Sequence, residues 1–455
     1  MNKELKIPII ITIVYAILTL IAVLHHEIWA DEAQVWLLCK NLSISELFHH
    51  LHNEGHPFFI YLLVMPFAKL TSNIIYMQLV CWFFMVGSIF LLFRYSPFHF
   101  ITKISITLSA GFIYFLPVIA RDYSLLPFLM FLGAILYSKQ KQHPVLYAIF
   151  ISLITCTNII MFCFSFCLFL LFVHENLIKN LDRKKYITPA FIFILSFAYV
   201  IWQLGDTIKS NIYINANIVP SELYNNTIFV ITSIFKNTYN YIFFTANNNQ
   251  LLYPIFDIPM IIIFVVLFLM LFAVLFLNNK KFFFFAMLSI CFQLGIYCIY
   301  FPVCIYPIRI FIAFTILVFT LWILINSQEL TTNTKKYINI ILSIFFIITS
   351  YNGINFYIQD IKYPYSDAIN TAEFIKKNID INSVILYSNE LYMADLLYYM
   401  GNNEHNFISV IRKEPFKYII WDNKSLYHYQ PEEWQIIVEN YIEYLITLIF
   451  RLLSH

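Results

Sequence analysis

Histidines and carboxylates gather in one short stretch near the start of the chain. Six of the twelve histidines fall between residues 25 and 56, and five acidic residues fall in the same stretch. These acids are Glu27, Asp31, Glu32, Glu46 and Glu54. Only 12% of the chain is charged. Such a cluster beside an apolar run therefore predicts acid–base chemistry or the binding of a divalent metal at a membrane surface.

Two patterns in this stretch also have a purely structural interpretation. Asp31, followed three residues later by Gln34, has the spacing of a capping box and predicts a helix over residues 32–40. On that interpretation the Asp31 carboxylate serves only as a helix cap. Ser43 and Glu46 repeat the spacing before a second short helix, and for Glu46 we favour the capping role.

Glu54 and His56 lie where the second short helix must stop. The tripeptide Gly55-His56-Pro57 interrupts a helix, and a histidine between glycine and proline has no packing role there. Carboxylate and imidazole ligands together suit Mn or Zn. We therefore predict that both residues are functional, and a metal site is one form that this function would take.

The rest of the chain is dominated by apolar sequence. Of its 455 residues 60% are hydrophobic, whereas a soluble globule carries about a quarter charged residues. A helix of roughly 20 apolar residues crosses a bilayer, and we find eleven such runs, which predicts an α-helical multi-pass membrane protein. The predicted spans are residues 7–24, 73–93, 100–120, 124–137, 144–158, 160–174, 186–203, 252–277, 282–300, 309–326 and 337–350.

The distribution of charge predicts an orientation. With the N-terminus in the cytoplasm, fourteen Lys and Arg residues fall in cytoplasmic loops and six in exterior loops before the C-terminal tail, which is the bias that membrane proteins show. An odd number of spans then places the C-terminus outside. The net charge is only +2, so the chain lacks the basic surface that nucleic-acid binding requires.

Two exterior loops are long. The first covers residues 25–72, and its segment Pro57–Leu70, which contains Pro66, predicts a re-entrant or interfacial helix. The second covers residues 204–250, with another interfacial segment predicted at residues 228–244.

The last fifth of the chain differs in composition, because thirteen of the 26 acidic residues lie between residues 360 and 443. We therefore predict a membrane domain over residues 1–350 and a small exterior soluble α/β domain over residues 351–455. Its predicted elements are a helix over 366–378 with Ser366 as N-cap, a strand over 383–387, a helix over 393–400 and a strand over 418–421.

The first exterior loop contains the most specific motif of the chain. W-A-D-E-A-Q-V-W at Trp29–Trp36, followed by E-G-H-P-F-F-I-Y-L-L at Glu54–Leu63, resembles the first exterior loop of the multi-span GT-C glycosyltransferases. The similar branch is the bacterial one related to protein O-mannosyltransferases and lipid A aminoarabinose transferases. In that branch an Asp-Glu pair soon after the first span precedes a Pro-rich, aromatic segment. Phe58 stands where a second proline is usual.

Three shorter matches extend the resemblance along the chain. A-R-D-Y-S-L-L at Ala120–Leu126 resembles an A-R-x-Y-x-L-L motif at the outer end of a later span. Tyr306–Arg309 resembles an Arg-bearing motif that opens a late span, although Ile310 replaces the Tyr or His often found there. Pro364–Ile375 is similar to the start of the exterior C-terminal domain in many such proteins. These three matches are short and degenerate.

The resemblance implies an enzyme that moves a sugar from a polyprenyl-phosphate donor to an acceptor outside the cytoplasm. It implies that Asp31 is the base in an inverting reaction and that Glu32 orients Asp31 or binds metal. Asp122 is a second candidate carboxylate. Arg121 and Arg309 lie at span mouths, where a guanidinium suits a phosphate. Their structural alternative is ordinary snorkelling at the membrane interface.

The remaining implied contacts concern substrate and metal. Tyr123 and His56 are candidate substrate-binding residues, and Glu54 and His56 are candidate ligands of a divalent ion such as Mn, Mg or Zn. Some members of the family work without a metal, so this choice stays open. The expected partners are the lipid-linked donor, membrane lipids and a glycan, lipid or protein acceptor. The expected location is the plasma (inner) membrane of a bacterium.

Other classes of function remain in view. A lipid-linked polysaccharide polymerase or ligase would use the same exterior site and the same lipid substrate. A transporter would normally place ionisable groups near the bilayer midplane, whereas these spans are almost free of charge. A non-catalytic sensor would explain the tail but leaves the first-loop cluster unexplained. Convergence of Asp31, Asp122 and Arg121 on one outward cavity would favour the enzyme over the transporter.

Overall fold

The computed structural model describes residues 3–178, 183–209, 225, 227, 257–300, 307–327, 330–381, 383–387, 390, 393–401, 406–410, 412–421, 439 and 442. These residues form a largely helical bundle with one small sheet. The helices are α1 (Lys3–His25), α2 (Ala30–Asn41), α3 (Ile44–His50), α4 (Phe59–Leu70), α5 (Ile75–Tyr95), α6 (Phe100–Leu108), α7 (Leu126–Tyr137), α8 (Pro144–Thr155), α9 (Phe162–Phe172), α10 (Lys184–Lys209), α11 (Asp257–Asn278), α12 (Lys280–Tyr300), α13 (Pro307–Ser327), α14 (Thr332–Lys362), α15 (Ala368–Asn378) and α16 (Ala394–Met400). The strands are β1 (Val384–Tyr387) and β2 (Asn406–Ser409).

Among the described residues, six helical stretches are long and apolar enough to cross a membrane. They are Leu5–His25, Ile75–Tyr95, Ile159–Ile178, Lys184–Gly205, Ile308–Ser327 and Thr332–Lys362. Each overlaps a predicted span, and the chain is accordingly a helical membrane protein. The count of eleven is not confirmed. For example, α7 and α8 have 12 residues each and are about 18 Å long, shorter than the roughly 30 Å of a bilayer core.

The predicted span over residues 100–120 is wrong as a single helix. Helix α6 ends at Leu108, and a separate wide helical turn follows at Gly111–Phe115. The reason is a close approach by α14. A Cβ added to Gly353 would lie 2.5 Å from the Cα of Ala110, so two backbones meet where the predicted span is interrupted.

Helix α13 forms the centre of the bundle. Nearly all of the apolar stretch Ile308–Ser327 is buried, so neighbouring helices rather than lipid cover its apolar surface on all sides. Trp322, Phe314 and Phe319 are fully buried. The ring of Trp322 packs 5.4 Å from that of Phe131 on α7.

The C-terminal segment, by which we mean residues 363–421, follows α14 without a break at the predicted domain boundary. Residues 350 and 351 both lie inside α14. Strand β1 pairs in parallel with β2, with Val384 opposite Asn406. The predicted helices over 366–378 and 393–400 and the strand over 383–387 agree with α15, α16 and β1 to within two residues.

Two details predicted for this segment are wrong. Ser366 is not the N-cap of α15, because that position is Asp367, and the Glu27 carboxylate accepts the backbone N–H groups of Ser366 and Ile369. Residues 418–421 form no strand, because the N–H and C=O of Ile419 bond to the side chain of Gln34 instead of to a neighbouring strand. The interfacial segment predicted at 228–244 lies outside the described residues.

Candidate active site

Glu32 fixes the start of α2. One of its carboxylate oxygens accepts the N–H of Ala120 at 2.6 Å. The other accepts the N–H of Trp29 at 3.2 Å and lies 3.0 Å from Nε2 of His26. His26 in turn places Nδ1 2.8 Å from the carboxylate of Asp360 at the end of α14. Glu32 is fully buried, so its described contacts hold α2 against the turn at Ala120.

His26 is a buried cation between two carboxylates. Burial opposes the charge on its imidazole, but the charges of Glu32 and Asp360 and their hydrogen bonds outweigh burial and raise the pKa of His26 to about 10. The imidazolium therefore joins α2 to α14 near neutral pH.

Asp31, one residue before Glu32, forms an ion pair with the guanidinium of Arg121. The structural alternative, in which Asp31 caps α2, does not hold, because α2 begins at Ala30, two residues before the predicted start, with Trp29 at the N-cap. The Asp31 side chain is 29% exposed and that of Arg121 only 7%. Burial would raise the pKa of Asp31, but the positive charges of Arg121 and, more weakly, Arg309 hold it below its usual value. Asp31 is therefore an ionised carboxylate at neutral pH.

Arg121 also contacts His56, and this contact assigns the histidine tautomer. Nη2 of Arg121 lies 3.0 Å from Nε2 of His56. A guanidinium can only donate, so Nε2 accepts and Nδ1 carries the proton. That Nδ1 lies 3.3 Å from Oδ2 of Asp122. Asn158 donates to the same oxygen at 2.6 Å, while its own carbonyl oxygen accepts the N–H of Ile160.

Two buried polar atoms of this cluster lack hydrogen-bond partners among the described residues. They are Nε of Arg121 and Oδ1 of Asp122. Arg121 is 6% exposed and Asp122 is 2% exposed. A buried donor or acceptor without a partner is costly, and at a functional site it commonly serves a ligand. Here one donor suits an anion and one acceptor suits a hydroxyl group.

Tyr123 and Arg309 lie beside the same cluster. The buried ring of Tyr123 stands edge-on to the imidazole of His56, 6.1 Å away. Arg309 is half-buried in the first turn of α13, and the Gln293 side chain donates to its carbonyl oxygen. Its charge contributes to the low pKa of Asp31, which places Arg309 within electrostatic range of the ion pair.

Glu54 belongs to a different network. Gln34 and Trp421 donate to its two carboxylate oxygens at 2.9 and 3.1 Å, and His50 lies 3.3 Å from one of them. Glu54 is thus tied to the C-terminal segment, whereas His56 accepts from Arg121. These contacts do not fit a divalent ion shared by Glu54 and His56, because the cation would compete with donors already in place.

Asn158 and Gln203 are site residues that the sequence did not reveal. Asn158 lies in the turn between α8 and α9 and meets Asp122 from 36 residues away. Gln203 of α10 donates to the carbonyl oxygens of Leu51 and His56 and so fixes the loop that carries His56. Asn158 and Gln203 are each a single amide side chain in an apolar run, and this was the only local sign that either residue has a polar partner.

Two cavities lie away from this cluster. One of about 520 Å³ is lined by Tyr137, Glu175 and Lys281 at the far end of α7. The other, of about 780 Å³, lies between α2 and the C-terminal segment and is lined by Trp36 and Tyr398 among others. Asp31 and Arg121 line neither, so a common cavity at the ion pair stays a prediction.

Comparisons of the chain with protein-family models, with curated proteins and with solved structures give no match. The resemblance to the GT-C glycosyltransferases therefore stays a prediction from short motifs. Support for a function has to come from the chemistry of the clustered side chains.

Proposed function

We propose that this protein is a glycosyltransferase that moves a sugar from a polyprenyl-phosphate donor to an acceptor at the end of the bundle where Asp31 and Arg121 meet. The observation that carries the proposal is the ion pair itself, together with the unpartnered Nε of Arg121. A buried guanidinium with a spare donor suits a phosphate. A partly exposed carboxylate beside it suits proton transfer from an acceptor hydroxyl.

In the proposed reaction the donor phosphate binds at Arg121, within range of the second cation, Arg309. Asp31 takes the proton of the acceptor hydroxyl, and the acceptor oxygen forms a bond to the anomeric carbon on the face opposite the phosphate. The bond from that carbon to the phosphate oxygen breaks, and its electron pair leaves with the phosphate. Arg121 stabilises the charge that develops on this leaving group, and the anomeric configuration inverts.

Asp122 and His56 hold Arg121 from the other side. The imidazole accepts from Nη2, and Asp122, bonded to Asn158, fixes the tautomer. We assign the free Oδ1 of Asp122 to a sugar hydroxyl. Tyr123 supplies an aromatic edge beside the imidazole, and the reaction as proposed uses no metal.

A polysaccharide polymerase or ligase would share this site, and the product distinguishes it from a single-sugar transferase. A transporter is less well supported, because the described cluster gathers at helix ends and in turns rather than along broken helices at mid-bundle. The proposal also includes a plasma membrane location, a cytoplasmic N-terminus and an exterior C-terminal segment.

Mass spectrometry of cell-envelope glycans and lipids tests the proposal. Cells that express Asp31→Asn should lose one sugar modification that the wild type makes. The matched control is Glu373→Gln, an exposed carboxylate on α15, which should leave the modification intact. Identical envelope glycans in wild-type, Asp31→Asn and deletion strains would refute the proposed function.

A further inference from the structure

The Arg121 guanidinium is shared by two internal acceptors that reach it from different elements. Asp31 pairs with Nη1 from the first turn of α2. His56 accepts from Nη2 out of the loop before α4. Only Nε has no hydrogen-bond partner among the described residues. A phosphate binds a guanidinium through two neighbouring N–H groups, and because Asp31 and His56 already occupy one N–H of each Nη, a phosphate that binds through these nitrogens competes with them.

Charge decides which acceptor leaves. The Asp31 carboxylate and the phosphate are both anions, and two anions on one guanidinium repel each other. Nε2 of His56 accepts as part of a neutral imidazole and adds no such repulsion. The Asp31 side chain is also 29% exposed and can turn toward solvent, whereas Asp122 and Asn158 hold His56 in place.

We propose, on the basis of the proposed function, that the donor phosphate displaces Asp31 from Arg121 and that only this exchange turns Asp31 into the base of the reaction. While Asp31 is paired with Arg121, its Oδ2 faces the guanidinium and the affinity of the carboxylate for a proton is low. After the exchange the carboxylate is free beside the bound sugar. The acceptor is then deprotonated only when a donor is present.

Binding of a lipid phosphate to the purified full chain tests this exchange. Farnesyl phosphate is the probe, farnesol is the matched lipid without phosphate, and calorimetry in detergent measures the affinity. If Asp31 competes with the phosphate, Asp31→Asn should bind farnesyl phosphate about tenfold more tightly or better, since a hydrogen bond to a charged group contributes roughly 1.5–3 kcal/mol. The affinity for farnesol should not change.

Two further variants separate competition from an indirect effect. Arg121→Gln should weaken farnesyl phosphate binding, and adding Asp31→Asn to it should no longer increase the affinity. Asp31→Ser, which also removes the carboxylate, should bind as tightly as Asp31→Asn. Each variant should elute as a single species in size exclusion before it is measured.

The outcomes distinguish the exchange from the proposed function. Equal or weaker binding of farnesyl phosphate by Asp31→Asn and Asp31→Ser, with a wild type that prefers farnesyl phosphate to farnesol, would overturn the exchange and leave the function standing. A wild type that binds both lipids equally would count against the proposed function, and the exchange would fall with it.

Discussion

Replacing His26 by glutamine should destabilise the protein most near neutral pH. The imidazolium lies 3.0 Å from Glu32 and 2.8 Å from Asp360, and all three side chains are at most 1% exposed. Glutamine is neutral and leaves two buried carboxylates without their cation. Removing one partner of a buried ion pair costs about 3–5 kcal/mol, and we expect a loss of that order in the free energy of unfolding.

The pH dependence gives the sign of the effect. The pKa of His26 is raised to about 10 in the fold, against about 6.5 for a histidine in an unfolded chain. The stabilisation from His26 is therefore complete below about pH 6.5 and is lost as the pH rises through 10. The unfolding temperature of the wild type should fall over this interval, and the difference between wild type and His26→Gln should shrink.

Thermal unfolding in detergent between pH 6 and 10 measures this difference. His99→Gln is the matched control, because the His99 side chain is exposed, and it should follow the wild type at every pH. If the difference in unfolding temperature between wild type and His26→Gln stays constant from pH 6 to 10, His26 is not charged in the folded protein.

Three further predictions concern the site, the packing and the orientation. Asn158→Ala should lower kcat at least tenfold, because it releases the carboxylate that orients His56, and it should also lower the unfolding temperature, because the buried N–H of Ile160 loses its acceptor. Unchanged turnover would remove Asn158 from the site. Gly353→Ala should destabilise the protein by about 1–3 kcal/mol, because the added Cβ would meet the backbone at Ala110, in the turn after α6. The control Gly205→Ala, which has open space around the added Cβ, should not destabilise it. Equal unfolding temperatures for the two variants would contradict this packing. A reporter fused after Lys141 should be cytoplasmic and one fused after Tyr363 exterior, and a cytoplasmic Tyr363 fusion would reverse the proposed orientation.

Local sequence spacing predicted most of the helices but not their tertiary contacts. Apolar runs located the bundle helices because burial in lipid or protein requires an apolar surface along the whole length. The Ser43–Glu46 capping box is confirmed, with both reciprocal hydrogen bonds formed. The same spacing at Asp31 suggested a cap as the structural alternative, but the carboxylate pairs with Arg121, 90 positions along the chain, which no local pattern encodes.

The predicted strand at 418–421 failed for a related reason. Its continuous run of β-branched and aromatic residues fitted a strand, but the backbone groups of Ile419 bond to one side-chain amide instead. Asp31, Arg121, Asp122, Tyr123 and His56 were all predicted and all lie together, whereas Glu54 faces the C-terminal segment and Glu32 fixes α2. Their meeting depends on the packing of three separate parts of the chain, namely α2, the loop before α4 and the turn before α7, so the sequence could suggest the group but not its contacts.

The hydrogen bonds between Gln34 and Ile419 also bear on how the protein matures. These residues are 385 positions apart, and a ribosome that adds about 5–20 residues per second needs roughly 20–80 seconds to make the chain between them. During that time the amide of Gln34 and the carboxylate of Glu54 have none of their partners from the end of the chain. The helix that carries Asp31 therefore reaches its final arrangement only late in synthesis, after most of the hydrophobic helices have entered the membrane. A growing chain would be inserted in the membrane long before α2 and the C-terminal segment are joined.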